Sequence, residues 1–68
     1  MIKVKMITEE NTFYLAASLV EVSDIEITCI LPDDRAVKIK TEDGIWKNNG
    51  KEVLKLMIDG EIAIGGRK

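Results

Sequence analysis

Sixty-eight residues with 12 acidic and 10 basic side chains, one cysteine and no histidine allow one small domain and exclude several classes of protein at once. There is no Ser-His or Cys-His nucleophile pair, no imidazole base and no ordinary zinc site, and a lone cysteine forbids an internal disulfide. No apolar run approaches membrane-spanning length, so the expectation is a chain without a membrane segment in a reducing compartment such as the cytosol.

The first residues, Ile2-Lys3-Val4-Lys5-Met6-Ile7, alternate apolar and basic side chains and predict a strand, not a signal peptide. Thr8-Glu9-Glu10-Asn11 then has the form of a helix start, a hydroxyl cap followed by acids in the first turn. Phe13, Ala16, Ala17 and Val20 fall on one helical stripe with Leu15, Leu19 and Val22 beside it, wide enough to lie on a sheet. A helix is the expectation for this segment, with a strand over 13–22 as the alternative. Ser23-Asp24 closes it.

The next stretch sets its own register. Ile25 to Ile30 and Ala36 to Thr41 both alternate, and Pro32-Asp33-Asp34-Arg35 between them is turn chemistry. Pairing Ile30 with Ala36 sets Cys29 against Val37 and Ile27 against Ile39, and these pairs are expected to face one core. The same choice puts Glu26 opposite Lys40 and Thr28 opposite Lys38 on the wet face. A slip of one residue would set Ile27 against Lys40 and is rejected.

Glu42-Asp43-Gly44, Asn48-Asn49-Gly50 and Asp59-Gly60 punctuate the remainder with dipeptides suited to turns of positive φ. Between them, Ile45 to Lys47, Lys51 to Ile58 and Glu61 to Ile64 predict a meander in which Leu54, Leu56 and Ile58 share a face. The last turn carries a conflict. A two-residue Asp59-Gly60 loop pairs Ile58 with Glu61, whereas burial prefers a three-residue loop that pairs Ile58 with Ile62 and Leu56 with Ile64. Burial is given precedence, because a slip moves every side chain to the other face. The domain is expected to cover 1–64, with 65–68 a frayed tail.

Little chemistry is on offer. Asp33-Asp34 and Glu42-Asp43 are the carboxylate pairs available to magnesium or calcium, but turn acids are ordinarily solvated and neither has the spacing of a calcium loop. Cys29, on the buried side of the hairpin and without a basic neighbour, reads as an inert core thiol. No catalytic, cofactor or metal residue is assigned. The surface residues to weigh are Trp46, Lys47, Lys38, Lys40 and Tyr14. Trp46 beside Lys47 suits a stacking platform or interface anchor, although in so small a domain it more often caps the core. Lys38 and Lys40 reach the wet face but have Glu26 for company. With a sequence pI near 5.0, a nucleic-acid partner is disfavoured. Charge is also uneven: residues 1–34 hold two lysines against seven acids, and 35–68 hold eight basic groups against five acids. Opposite charges meeting across the sheet account for this better than a basic binding face does.

The order strand, helix, hairpin, then Lys40-Thr41-Glu42-Asp43-Gly44-Ile45, is similar to the front of the HPr-like phosphocarrier proteins. That resemblance implies Thr41 near the family's regulatory serine and, with no histidine to phosphorylate, a regulatory role instead of a carrier. The ending Ile64-Gly65-Gly66 resembles the di-glycine terminus of ubiquitin-like sulfur carriers, which implies removal of Arg67 and Lys68.

The composite expectation is an α+β domain: one helix on an antiparallel sheet of about four to five strands in the order β-α-β-β-β-β. Its function is expected to be that of a small non-enzymatic binding or regulatory protein. It would act through protein–protein contacts with a partner or with itself as a homo-oligomer, since a chain this short has little core of its own.

Overall fold

The structure, a computed structural model, describes residues 1–65. It is all β: β1 (Ile2–Thr8), β2 (Thr12–Ala17), β3 (Leu19–Val22), β4 (Glu26–Ile30), β5 (Ala36–Glu42), β6 (Ile45–Asn48), β7 (Lys51–Ile58) and β8 (Glu61–Ile64). The strands pair antiparallel in the order β2-β1-β7-β6-β5-β4-β3, with β8 added on β7. The sheet curls into a half-barrel, and its two end strands, β2 and β3, are separated in the chain only by Ser18.

The expected helix is absent, and with it the α+β class. Residues 12–22 pair with β1 through Ile2↔Ala17 to Ile7↔Thr12 and with β4 through Leu19↔Ile30 to Val22↔Ile27. Along β2, Phe13, Leu15 and Ala17 alternate with Tyr14 and Ala16, and Ala17 is fully buried. Ser18 then turns the corner, its N–H and its hydroxyl both donating to the Ile30 carbonyl at 2.8 and 3.1 Å. Beyond the corner Val20 packs on the core. Two period-two stripes out of phase by one residue leave apolar side chains three apart at the join, Ala17 to Val20, and that spacing imitates a helical stripe. Thr8 does act as a cap, but of a hairpin loop. Its hydroxyl accepts from the Asn11 N–H at 3.1 Å and donates to the Asn11 carbonyl at 3.2 Å. The strand–helix–hairpin order behind the likeness to HPr-like proteins is therefore not present.

The central hairpin has the register its side chains select, from Glu26↔Lys40 to Ile30↔Ala36. The loop Leu31–Arg35 is closed by the Leu31 N–H donating to the Arg35 carbonyl at 2.8 Å. One detail is corrected: Ile27, Cys29 and Ile39 are buried, but Ala36 is exposed. Alternation places the Ile30–Ala36 pair on the outer face.

Asp43-Gly44, Asn49-Gly50 and Asp59-Gly60 all have positive φ at both positions, the signature of two-residue hairpin turns that match strand twist. At the last turn the three-residue loop is overturned, and with it the pairing of Ile58 with Ile62: the turn has two residues, and Ile62 is exposed opposite Met57. Ile58 pairs with Glu61, as the short turn dictates, yet Leu56 pairs with Ile64, as burial dictates. A bulge at Ala63 absorbs the odd residue. A second bulge shifts the β1–β7 register from Ile7↔Lys55 to Thr8↔Val53. As a result Val53 and Leu56 point inward while Leu54 is exposed, contrary to the expectation that Leu54 shares the face of Leu56.

The core gathers Val4, Met6, Ala17, Ile27, Cys29, Ile39, Val53, Leu56 and Ile64. Among the described residues no helix is long and apolar enough to cross a membrane. Gly65, expected to begin a frayed tail, has φ +80 and lies against the Leu54 backbone. Gly66, Arg67 and Lys68, and with them the di-glycine end, fall outside the described residues.

Candidate functional site

At one end of the half-barrel the inner face is not covered. A groove of about 550 Å³ opens there, with Phe13 and Leu15 of β2 on one lip and Ala36, Val37 and Lys38 of β5 on the other. The groove exists because pairing stops short on both lips. β2 ends the sheet, so its second edge has no partner strand. In β5 only Lys40, Thr41 and Glu42 pair with β6, which leaves Ala36 to Lys38 paired to β4 alone. The Asn48 side-chain amide donates to the Lys38 carbonyl at 2.9 Å and holds that lip in place. Phe13, at 41% exposure, shows its ring to the opening.

β2 differs from the other edges in composition. Thr-Phe-Tyr-Leu-Ala-Ala carries no charge, whereas β3 contains Glu21 and β8 contains Glu61. Edge strands are ordinarily guarded by charge, proline or a bulge. Among the described residues, five of the nine exposed large apolar side chains, Phe13, Tyr14, Leu19, Val22 and Ile25, belong to the β2–β3 segment or the residue leading into β4.

The groove's lining includes Lys38 and Lys51 and no carboxylate. Lys51 is held from outside by Glu10 at 2.7 Å, and this hydrogen bond and charge pull the Glu10 carboxyl below its ordinary range. Lys38 takes part in none of the ion pairs among the described residues.

The five surface residues read from the sequence are divided among three places. Lys38, Lys40 and Lys47 come together around a shallow hollow on the outer face of β5 and β6. There Lys40 stands directly opposite Lys47 in a row that runs Glu26, Lys40, Lys47, Glu52, and Lys47 lies 3.6 Å from Glu42. Three lysines there stand among three glutamates, Glu26, Glu42 and Glu52. Trp46 sits opposite Thr41 and packs half-buried against the core, so it is not a free platform. Tyr14, 74% exposed, lies on the outer face of β2 with the Lys5 ammonium 5.7 Å from its ring centroid.

Phe13, Leu15 and Val37 were not singled out as surface residues. Their signal is the alternation of Phe13, Leu15 and Ala17, which a strand reading of 12–17 would have turned into an inner face at a sheet edge. Cys29 is fully buried and burial pushes its thiol up, the reverse of what a nucleophile needs. Asp33 is engaged by Arg35, whose backbone N–H (3.2 Å) and guanidinium (2.6 Å) hold the carboxyl below its ordinary range. No group of three or more metal-ligating side chains forms among the described residues. The chain matches no protein-family model, no curated protein and no solved structure.

Proposed function

We propose that this is a small non-enzymatic binding protein that recognises an extended segment of a protein partner by adding it as a strand along β2. The observation that carries the reading is the uncharged free edge of β2 beside an open groove onto which Phe13, Leu15 and Val37 face. An added strand obtains affinity from main-chain hydrogen bonds and specificity from pockets that take alternate side chains. Both are available here: the unpaired edge supplies the first, and Phe13, Leu15 and Val37 the second. The reading extends to a cytosolic setting, which suits the reduced, buried Cys29. A second copy of the chain is the other occupant this edge could accept, since a domain of this size gains stability from association.

Native mass spectrometry of the protein from its own source tests the proposal, with Phe13→Asp as the control. The expected result is a bound polypeptide, or a homo-oligomer, that is lost in a Phe13→Asp protein whose circular dichroism is unchanged. A protein that is monomeric and unaccompanied, or an assembly indifferent to Phe13→Asp, would overturn it.

A further inference from the structure

On that reading of the groove, we propose that the segment it takes is acidic, with apolar side chains alternating with aspartate or glutamate. The argument starts from where the charges stand. In a chain of net charge −2, half of the twelve carboxylates, Glu9, Glu10, Asp33, Asp34, Asp43 and Asp59, lie in turns between strands. β2 carries none, and the groove's lining carries two lysines and no acid. Lys51 is paired with Glu10, which leaves Lys38 as the lining charge outside the ion pairs of the described residues.

A strand added to β2 presents side chains alternately to the two faces of the sheet. One set enters the groove beside Phe13 and Leu15, where only apolar atoms fit without loss of hydration. Across the gap from β2 stands Lys38, exposed on the outer face of β5 beside Lys40 and outside the ion pairs of the described residues. The other set emerges beside Tyr14, over which the Lys5 ammonium sits at 5.7 Å. A carboxylate in this outer set therefore finds Lys5 on one side and Lys38 on the other, and a basic residue there would meet like charge on both. Rim charges of this kind select partners and speed encounter more than they add affinity.

The test uses three sets of blocked ten-residue peptides in which apolar residues alternate with glutamate, with serine or with lysine. Each set is titrated into isotopically labelled protein while backbone amide shifts are followed at low and high salt. The glutamate set is expected to bind with shifts concentrated in β2 and at Ala36–Lys38. Its affinity should fall with salt and drop up to about fivefold in Lys38→Gln, the range for an exposed charge pair. Equal or tighter binding by the serine or lysine set, or indifference to Lys38→Gln, would overturn the acidic preference and leave the groove as a peptide site. Were none of the three sets to move β2 amides, the strand-addition reading itself would fail. Concentration-dependent β2 shifts without peptide would assign the edge to a second copy and overturn the acidic segment as occupant.

Discussion

Gly65 lies against the carbonyl of Leu54 so closely that a Cβ at position 65 would collide with it, and its φ of +80 is in the region side chains avoid. Leu54 is the residue left over by the β1–β7 bulge, so the end of β8 is seated on a defect in β7. Gly44 shares the same φ but has open space around the Cβ position. Gly44→Ala should therefore cost only the conformational term, about 1 kcal/mol. Gly65→Ala should cost roughly 2–3 kcal/mol, because strand β8 must also move off Leu54. Urea unfolding of the two variants measures both, and equal costs would show that the contact with Leu54 carries no weight.

The same bulge separates two leucines that are neighbours in the alternating pattern. Leu56 is fully buried, whereas Leu54 is 43% exposed. Leu56→Ala should lose about 2–5 kcal/mol through transfer and cavity terms, enough to unfold a marginal domain at room temperature. Leu54→Ala should stay within roughly 1 kcal/mol. Thermal melts of the pair separate the bulged register from a regular one, in which both substitutions would be severe.

The parts of the fold legible in the sequence are those where side-chain alternation and turn chemistry agree. The hairpin from Glu26 to Lys40 is the clearest, because any slip puts Ile27 on the wrong face. Where two local rules compete, the chain satisfied both by a device that alternation does not display. At Asp59-Gly60 a bulge at Ala63 let the short turn coexist with Leu56 opposite Ile64. At Ser18 a strand corner produced the three-residue spacing that reads as a helix, and the caps and acids at Thr8–Glu10 reinforced the error, since hairpin loops and helix starts use the same hydroxyl-to-amide bond. The groove followed from that error. With 13–22 taken as a helix, Phe13 and Leu15 belonged to a packed stripe, and no free sheet edge existed for them to flank.

Cys29 sets a pH dependence whose sign follows from its burial. The folded thiol is pushed above its ordinary value of about 9.0, so the folded state holds its proton more tightly than the unfolded chain does. The stability gained from this is fully present below pH 9 and is lost as pH rises from there through the folded value. Wild type should lose stability above pH 9 more steeply than Cys29→Ala, which carries the same remaining titratable groups. Parallel curves from denaturant melts between pH 7 and 10.5 would mean that the thiol ionises alike in both states. Thiol reagents at pH 8 should likewise react slowly with the native protein and quickly once it is unfolded.

Ala16 offers a way to close the β2 edge without weakening the fold. It is exposed and stands directly across from Lys3, so Ala16→Glu creates a cross-strand pair of opposite charge worth about 0.2–1 kcal/mol. The same carboxylate places a charge on the one edge strand that has none, which disfavours addition of a further strand. Ala16→Glu should therefore melt at or slightly above the wild-type temperature while losing strand-dependent association, whether with a peptide, a partner or a second copy. Ala16→Lys is the matched opposite: it should lower the melting temperature by repulsion from Lys3, yet keep or strengthen docking of a segment whose acids emerge on the Tyr14 face. A protein that associates as before with glutamate at position 16 would place its binding surface away from β2.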